Sequence, residues 1–333
     1  MCRGELAFDA SACPACGAAI GYLPAELGVR NLAGLDAITY GVPGRPGRWW
    51  RCLNSPYGCN WMLPAGGADV WCRSCRLTRG RPDDARSDAV AAWASAEASK
   101  RRLIHQLDSL GLAVDALSPE QSDGLVFDLV HLDDGGATTG YDRGTVTLDL
   151  AEADERHREV LRWQLGESFR TVIGHLRHEA GHHYFHRLVS QSDARARFRS
   201  VFGDDTIDYR DALARHYASP AAWDPTLHIT AYASAHPLED WAETFAHYLH
   251  MRDATESAAA YGLDATDSHG VDDFTSLIAR WHRVIAAVNA VAESLGAADV
   301  YPFAATGTVA DKLGFVHEQV VKNSQRRDFY ATD

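Results

Sequence analysis

The chain has no cysteine after Cys75, although seven occur up to that point. It has no apolar run approaching about 18 residues, so no helix long enough to cross a bilayer is expected. Its opening residues, MCRGELAFDA, lack the basic and apolar stretches of a secretory signal, so a cytoplasmic protein is expected. Internal repeats and low-complexity tracts are missing, which sets aside solenoids and disordered arrays. Positive charge is scarce: 32 Lys and Arg stand against 45 Asp and Glu, a net charge of −13. The shortage is uneven. Residues 1–82 hold 9 basic and 5 acidic side chains, and the remainder holds 23 and 40. An acidic remainder is a poor partner for nucleic acid. What is present suffices for a real core: 333 residues, 46% hydrophobic and 10% aromatic, long enough for two domains.

In a reducing compartment, clustered CxxC pairs point to metal ligands rather than disulfides. Cys52, Cys59, Cys72 and Cys75 make a complete set for one tetrahedral zinc, with Cys72 and Cys75 as a knuckle. Cys2, Cys13 and Cys16 make a second set, one ligand short. Cys13 and Cys16 grouped with Cys72 and Cys75 is an alternative. The same region carries GRPGRWWR at 44–51, which interleaves Arg with Trp. That pattern suits nucleic acid or an acidic partner. The favoured reading is that the Arg side chains balance thiolates and the Trp rings fill a small core.

The most specific feature is His178-Glu179-Ala180-Gly181-His182, an HExxH motif inside FRTVIGHLRHEAGHHYFHRLV. On a helix, residues four apart share a face, so His178 and His182 can hold one Zn²⁺. Glu179 is then placed to act as general base for the attacking water. A third ligand is needed. The pattern with Gly and a further His at three-residue steps fails, because those positions are Phe185 and Leu188. The run HPLEDWAE at 236–243 supplies a Glu instead. Pro237 suits a first helical turn, and Glu239 and Glu243 share one face. Trp241, Phe245 and Leu249 take the opposite face, toward a core. Glu239 is assigned to the metal. Glu243 is assigned to the free ring N–H of a ligand histidine. Two His, one Glu and an open position are what a catalytic zinc requires. The alternative is that the stripe His175, His178, His182 and His186 is a polar face, with Glu239 and Glu243 solvated.

RHEAGHHYFHRLV, FGDDTIDYRDALARHY, EDWAETFAHYLHM, SLGAADVYPF and DKLGFVHEQVV together resemble the zinc-ribbon-bearing family of bacterial zinc metallopeptidases, over almost the whole chain. The resemblance implies the gluzincin type, with two His from HExxH and a distal Glu on zinc. It also implies a further cysteine near Cys2, where Arg3 and Gly4 stand here. A gluzincin needs a hydrogen-bond donor for the developing oxyanion, opposite the general base. Tyr232, seven residues before Glu239, is placed like such a donor, with His236 as competitor and a core aromatic as the alternative role.

The expected organisation is α+β. A small zinc-ribbon module at 1–82 ends in a linker at Arg79–Asp84. A mostly helical zincin-like domain with a short sheet occupies 83–333. A helix is expected over 87–110, strands at 124–132 and 144–150, and the HExxH helix over about 166–190. The Glu239 helix is expected over 237–252, an amphipathic helix around Phe274–Val288, a short one at 308–322 and a mobile tail after Lys322. The strand at 144–150 is expected to be an edge that takes up substrate backbone by strand addition. Asp264–Gly270 is expected to be a polar loop bordering the cleft. The leading function is zinc-dependent hydrolysis of peptide bonds in a peptide or protein substrate. Two alternatives remain: a non-proteolytic zinc protein whose ribbon binds nucleic acid or protein, and a zinc hydrolase of a non-peptide amide.

Overall fold

The computed structural model describes residues 6–112, 114–119, 121–132, 139–218, 223–263 and 273–330. Cys2 and the expected loop Asp264–Gly270 lie outside the described residues. By compactness the chain divides into two units, residues 1–109 with 113–154 and residues 110–112 with 155–333.

The first unit begins with a hairpin, β1 (Ile20–Leu23) against β2 (Gly28–Asn31). Pro24–Glu26 makes its turn, and Leu27 closes it in the left-handed region at φ 47°. An antiparallel meander follows: β3 (Ala33–Gly34), β4 (Thr39–Gly41), β5 (Trp49–Arg51) and β6 (Met62–Pro64). Leu23, Leu32, Val42 and Met62 form a small core, with Tyr40 and Trp49 packed against it. The Arg51 guanidinium lies 5.2 Å from the Tyr40 ring centre and donates to the Ile20 carbonyl at 3.2 Å. Trp49 and Arg51 of the Arg/Trp run are thus engaged in building the fold.

A short helix α1 (Arg73–Arg76), strand β7 (Thr78–Gly80) and the long helix α2 (Ser87–Ser109) come next, then β8 (Val126–Val130), β9 (Gly140–Asp142) and β10 (Thr145–Asp149). Trp93, Leu103, Ile104 and Leu107 of α2 are buried, as their helical spacing predicts. The sheet order is β7-β8-β10-β9. This arrangement changes two expectations. The segment read as a linker starts inside β7, where Thr78 pairs with Phe127 in parallel register. Strand β10 is internal, parallel to β8 and antiparallel to β9. Over Thr145–Thr147 both its hydrogen-bonding edges are used, so this part is not a free edge for a substrate strand.

The second unit is helical: α3 (Glu155–Leu165), α4 (Val172–Phe185), α5 (Ala194–Phe202), α6 (Tyr209–Ala218), α7 (Pro237–Ala260), α8 (Phe274–Ser294) and α9 (Gly307–Tyr330). Helix α4 starts later than expected. Gly166 turns the chain at φ 66°, and Thr171 caps the helix by accepting from the Gly174 N–H at 3.0 Å. A π-helical turn, His186–Ser190, follows α4 directly. Helix α9 runs eight residues beyond Lys322, because nothing in that stretch is a helix breaker.

Helices α4 and α7 form the centre of this unit. They cross where Gly181 meets Ala242. A Cβ on Gly181 would stand 2.9 Å from the Ala242 Cα, so only glycine permits the approach. Trp241 is fully buried, and its indole N–H donates to the Gly181 carbonyl at 2.8 Å. Phe185, Phe198, Phe202, Phe245 and Phe315 surround the Trp241 ring with centroids 5.9–6.2 Å away. A fully buried Phe contributes about 1.5–3 kcal/mol, so this cluster is a main anchor of the helix pair. On the far side, Lys312 of α9 donates to Asp240 Oδ2 at 2.6 Å and to the Leu227 carbonyl at 2.5 Å.

Candidate metal centre and its cysteine counterpart

His178 and His182 project from one face of α4, toward the first turns of α7. Their Nε2 atoms are 3.2 Å apart. Glu239 Oε2 lies 3.0 Å from His178 Nε2 and 3.5 Å from His182 Nε2. A tetrahedral ion with bonds of about 2.0–2.1 Å separates its donors by about 3.3 Å, which these three distances bracket. The chemistry of the donor set agrees. His178 Nδ1–H donates to Glu243 Oε1 at 2.6 Å, which leaves Nε2 with a bare lone pair facing a carboxylate oxygen. Glu239 Oε2 is buried and makes no well-angled hydrogen bond among the described residues. Lone pairs converging at these distances call for a cation. Burial opposes charge on His178, yet its hydrogen bonds to Glu239 and Glu243 outweigh it and raise its pKa well above the ordinary value. Burial likewise opposes ionisation of Glu239, and the two imidazoles overcome it, holding the carboxyl well below its ordinary range.

Glu179 also comes within 4.8 Å of the two histidine donor atoms. Its Oε1 accepts from His175 Nε2 at 3.1 Å. Against the opposing effect of burial, that bond and the nearby imidazoles keep Glu179 below the usual carboxylate range, hence ionised. Glu243 is tied at both oxygens, to His178 and to the Thr230 hydroxyl at 2.8 Å.

Tyr232 sits in a single 3-10 turn, Tyr232–Ala235, with its ring centre 5.8 Å from that of His178. Burial first, and the charge of Glu239 second, push its hydroxyl far above the ordinary value. The hydroxyl therefore keeps its proton beside the histidines. His236 is not available for that role. Its Nδ1 caps α7 by accepting from the Leu238 N–H at 3.0 Å, and its Nε2 donates to the Ile207 carbonyl at 3.2 Å. Both ring nitrogens are taken by the fold, which a His directly before a Pro at a helix start could have signalled.

The sequence reading missed Tyr209. Its hydroxyl donates to Glu239 Oε1 at 2.5 Å. Thirty residues separate the two, and no periodic pattern links a helix start to a distant carboxylate. Asp240, adjacent in sequence to Glu239, points elsewhere and pairs with Lys312 and His228.

In the first unit, Cys52, Cys59, Cys72 and Cys75 are all buried, with their sulfurs clustered. Cys59 Sγ lies 3.7 Å from Cys72 Sγ and 3.8 Å from Cys75 Sγ. A tetrahedral zinc with bonds of about 2.3 Å separates its sulfurs by about 3.8 Å, far beyond a disulfide bond. Backbone N–H groups of Cys72 and Cys75 point at the Cys52 and Cys72 sulfurs, at 3.2 and 3.5 Å. This cluster overturns the alternative grouping, since Cys72 and Cys75 are committed to Cys52 and Cys59. Cys13 is buried and Cys16 exposed; their expected companion Cys2 lies outside the described residues. The four-cysteine cluster and the His/Glu/His site are both consistent with zinc.

Comparison with known proteins also points to zinc-binding families. A zinc-ribbon domain model matches residues 1–86. The model of a family described as putative zinc-binding metallo-peptidase matches residues 89–319. Uncharacterized proteins of Mycobacterium bovis and of two Mycobacterium tuberculosis strains are each 39% identical over 329 residues, covering 96% of this chain and 93% of the relative. No solved structure matches the chain significantly. With more than half its length under that family model, the chain belongs to the family of putative zinc-binding metallo-peptidases, preceded by a zinc-ribbon domain.

Proposed function

We propose that the chain hydrolyses peptide bonds with one zinc ion held by His178, His182 and Glu239 in the gluzincin manner. The convergence of those three donor atoms at 3.0–3.5 Å, beside an ionised Glu179, carries this reading. A zinc ion there supplies Lewis-acid polarisation and acidifies water. The protein's own groups do the rest. Glu179 accepts a proton from the water that attacks the scissile carbonyl carbon, and returns it to the amine as the C–N bond breaks. Tyr232, held protonated, donates its O–H to the oxygen that gains charge in the tetrahedral intermediate. Glu243 keeps the proton on His178 Nδ1 and so keeps Nε2 directed at the metal position.

A second zinc, structural, belongs to Cys52, Cys59, Cys72 and Cys75. The functional division is placed at residues 82/83, near the seam between the two family matches. Among the described residues no helix is long and apolar enough to cross a membrane, and thiols used as zinc ligands suit a reducing, cytoplasmic setting.

The test is Glu179→Gln. It keeps the shape of the side chain and every metal ligand. Zinc content should match the wild type, and turnover of a peptide library should fall by about 10²–10⁴-fold, the usual worth of a positioned general base. Undiminished peptidase activity would place the chemistry elsewhere.

A further inference from the structure

We infer that Tyr209 is a positioning residue that keeps Glu239 a one-oxygen ligand; this rests on the metal site proposed above. A carboxylate with both oxygens free can swing to bind through both, and would then occupy the position that a catalytic zinc leaves open. Here the two oxygens are in different circumstances. Oε2 faces the two imidazole nitrogens, while Oε1 accepts from the Tyr209 hydroxyl at 2.5 Å. Such O–H···O⁻ bonds are short and strong, so Oε1 is withheld from the metal position.

The tyrosine is itself built in. Its ring lies edge-on to His236, with centroids 5.1 Å apart. His236 caps the helix that carries Glu239 and binds the Ile207 carbonyl, two residues before Tyr209. Donor and acceptor are thereby fixed to the same helix start. Tyr209 also reaches toward Tyr232, and the charge of Glu239 acts on both hydroxyls. The group that holds Glu239 Oε1 therefore neighbours the proposed oxyanion donor.

Tyr209→Phe keeps the ring on His236 and removes only the hydroxyl. The probe is Co²⁺ added to the full chain, whose visible d–d absorption weakens as coordination rises from four to five. The site's own spectrum is the difference from a His178→Ala protein loaded identically, which cancels any cobalt on the cysteines. Four-coordinate intensity is expected in the wild type. In Tyr209→Phe the band should weaken, and affinity against a competing chelator should fall by about 10–100-fold, as losses of groups that orient metal ligands do. Near-ultraviolet circular dichroism should be unchanged. Wild-type spectrum and affinity in a folded Tyr209→Phe protein overturn the inference while leaving the metal site standing. A wild-type spectrum identical to that of His178→Ala overturns the metal site and this inference together.

Discussion

The Trp241 indole donates to the Gly181 carbonyl across 2.8 Å, and this bond joins the helix of the HExxH motif to the helix of Glu239 within one turn of every donor atom. The registration of α4 against α7 sets the distance from His178 to Glu239. Gly181, between the two histidines, makes that registration possible.

Gly181→Val is expected to push the helices apart, because the Ala242 backbone leaves no room for a Cβ. Overpacking of this kind costs about 1–3 kcal/mol. Thermal unfolding should register that loss, and metal titration should show a parallel loss of affinity, since the ligands sit on both sides of the contact.

Glu239, Asp240 and Glu243 are close in sequence and should separate cleanly in experiment. Glu239→Ala should abolish metal binding at the histidines. Glu243→Gln should weaken it about 10–100-fold through the loosened His178 ring. Asp240→Asn should leave affinity nearly intact and instead destabilise the fold. Its carboxylate and the Lys312 ammonium are both buried, and breaking such a pair costs about 3–5 kcal/mol. Chelator competition read beside urea unfolding distinguishes the three. Loss of metal in Glu243→Gln with retention in Glu239→Ala would invert the assignment.

Cys72→Ser should remove about one zinc per chain and unfold the N-terminal ribbon, since structural zinc contributes folding free energy directly. Limited proteolysis with metal analysis checks it. Full zinc content and unchanged resistance of residues 6–80 would contradict a structural role for the cluster.

Acid should weaken the second unit through His247. Burial pushes its imidazole down to about 4, below the ordinary 6.5, and its Nδ1 accepts from the Tyr301 hydroxyl at 2.6 Å. The folded state therefore disfavours the proton that the unfolded chain takes up. This contribution is complete above the unfolded value and is lost as pH falls from about 6.5 toward 4. At pH 5 the loss is about 2 kcal/mol. Urea unfolding at pH 7 and pH 5 should show a smaller difference in His247→Gln than in the wild type; an equal difference would remove His247 from the account.

Much of the site was legible because helical periodicity carries it. The four-residue spacings of His178 with His182 and of Glu239 with Glu243 put each pair on one face, and the apolar Trp241, Phe245 and Leu249 marked the opposite one. What escaped depends on contacts without a period. Tyr209 reaches Glu239 only because the chain returns to the start of α7. His236 looked like a free imidazole until its cap and its bond to Ile207 were visible. Strand β10 could not be recognised as internal from alternation alone, since pairing on a second edge comes from β9, whose three residues carry little signal. The division by compactness was equally hidden, because β7 joins its sheet through Phe127, almost fifty residues further on.

The division of labour between α4 with α7 and the chain that connects them has an evolutionary consequence. His178, Glu179, His182, Glu239 and Glu243 all reside on two helices bolted together at Gly181 and Trp241. The chain between them brings Tyr209 to Glu239 and Tyr232 beside His178. Apart from Thr230, Tyr209 and His236, whose contacts hold Glu243, Glu239 and the start of α7, the described residues of that stretch make no contact used to fix these atoms, so it is the part of the unit freest to vary while the helix pair stays fixed.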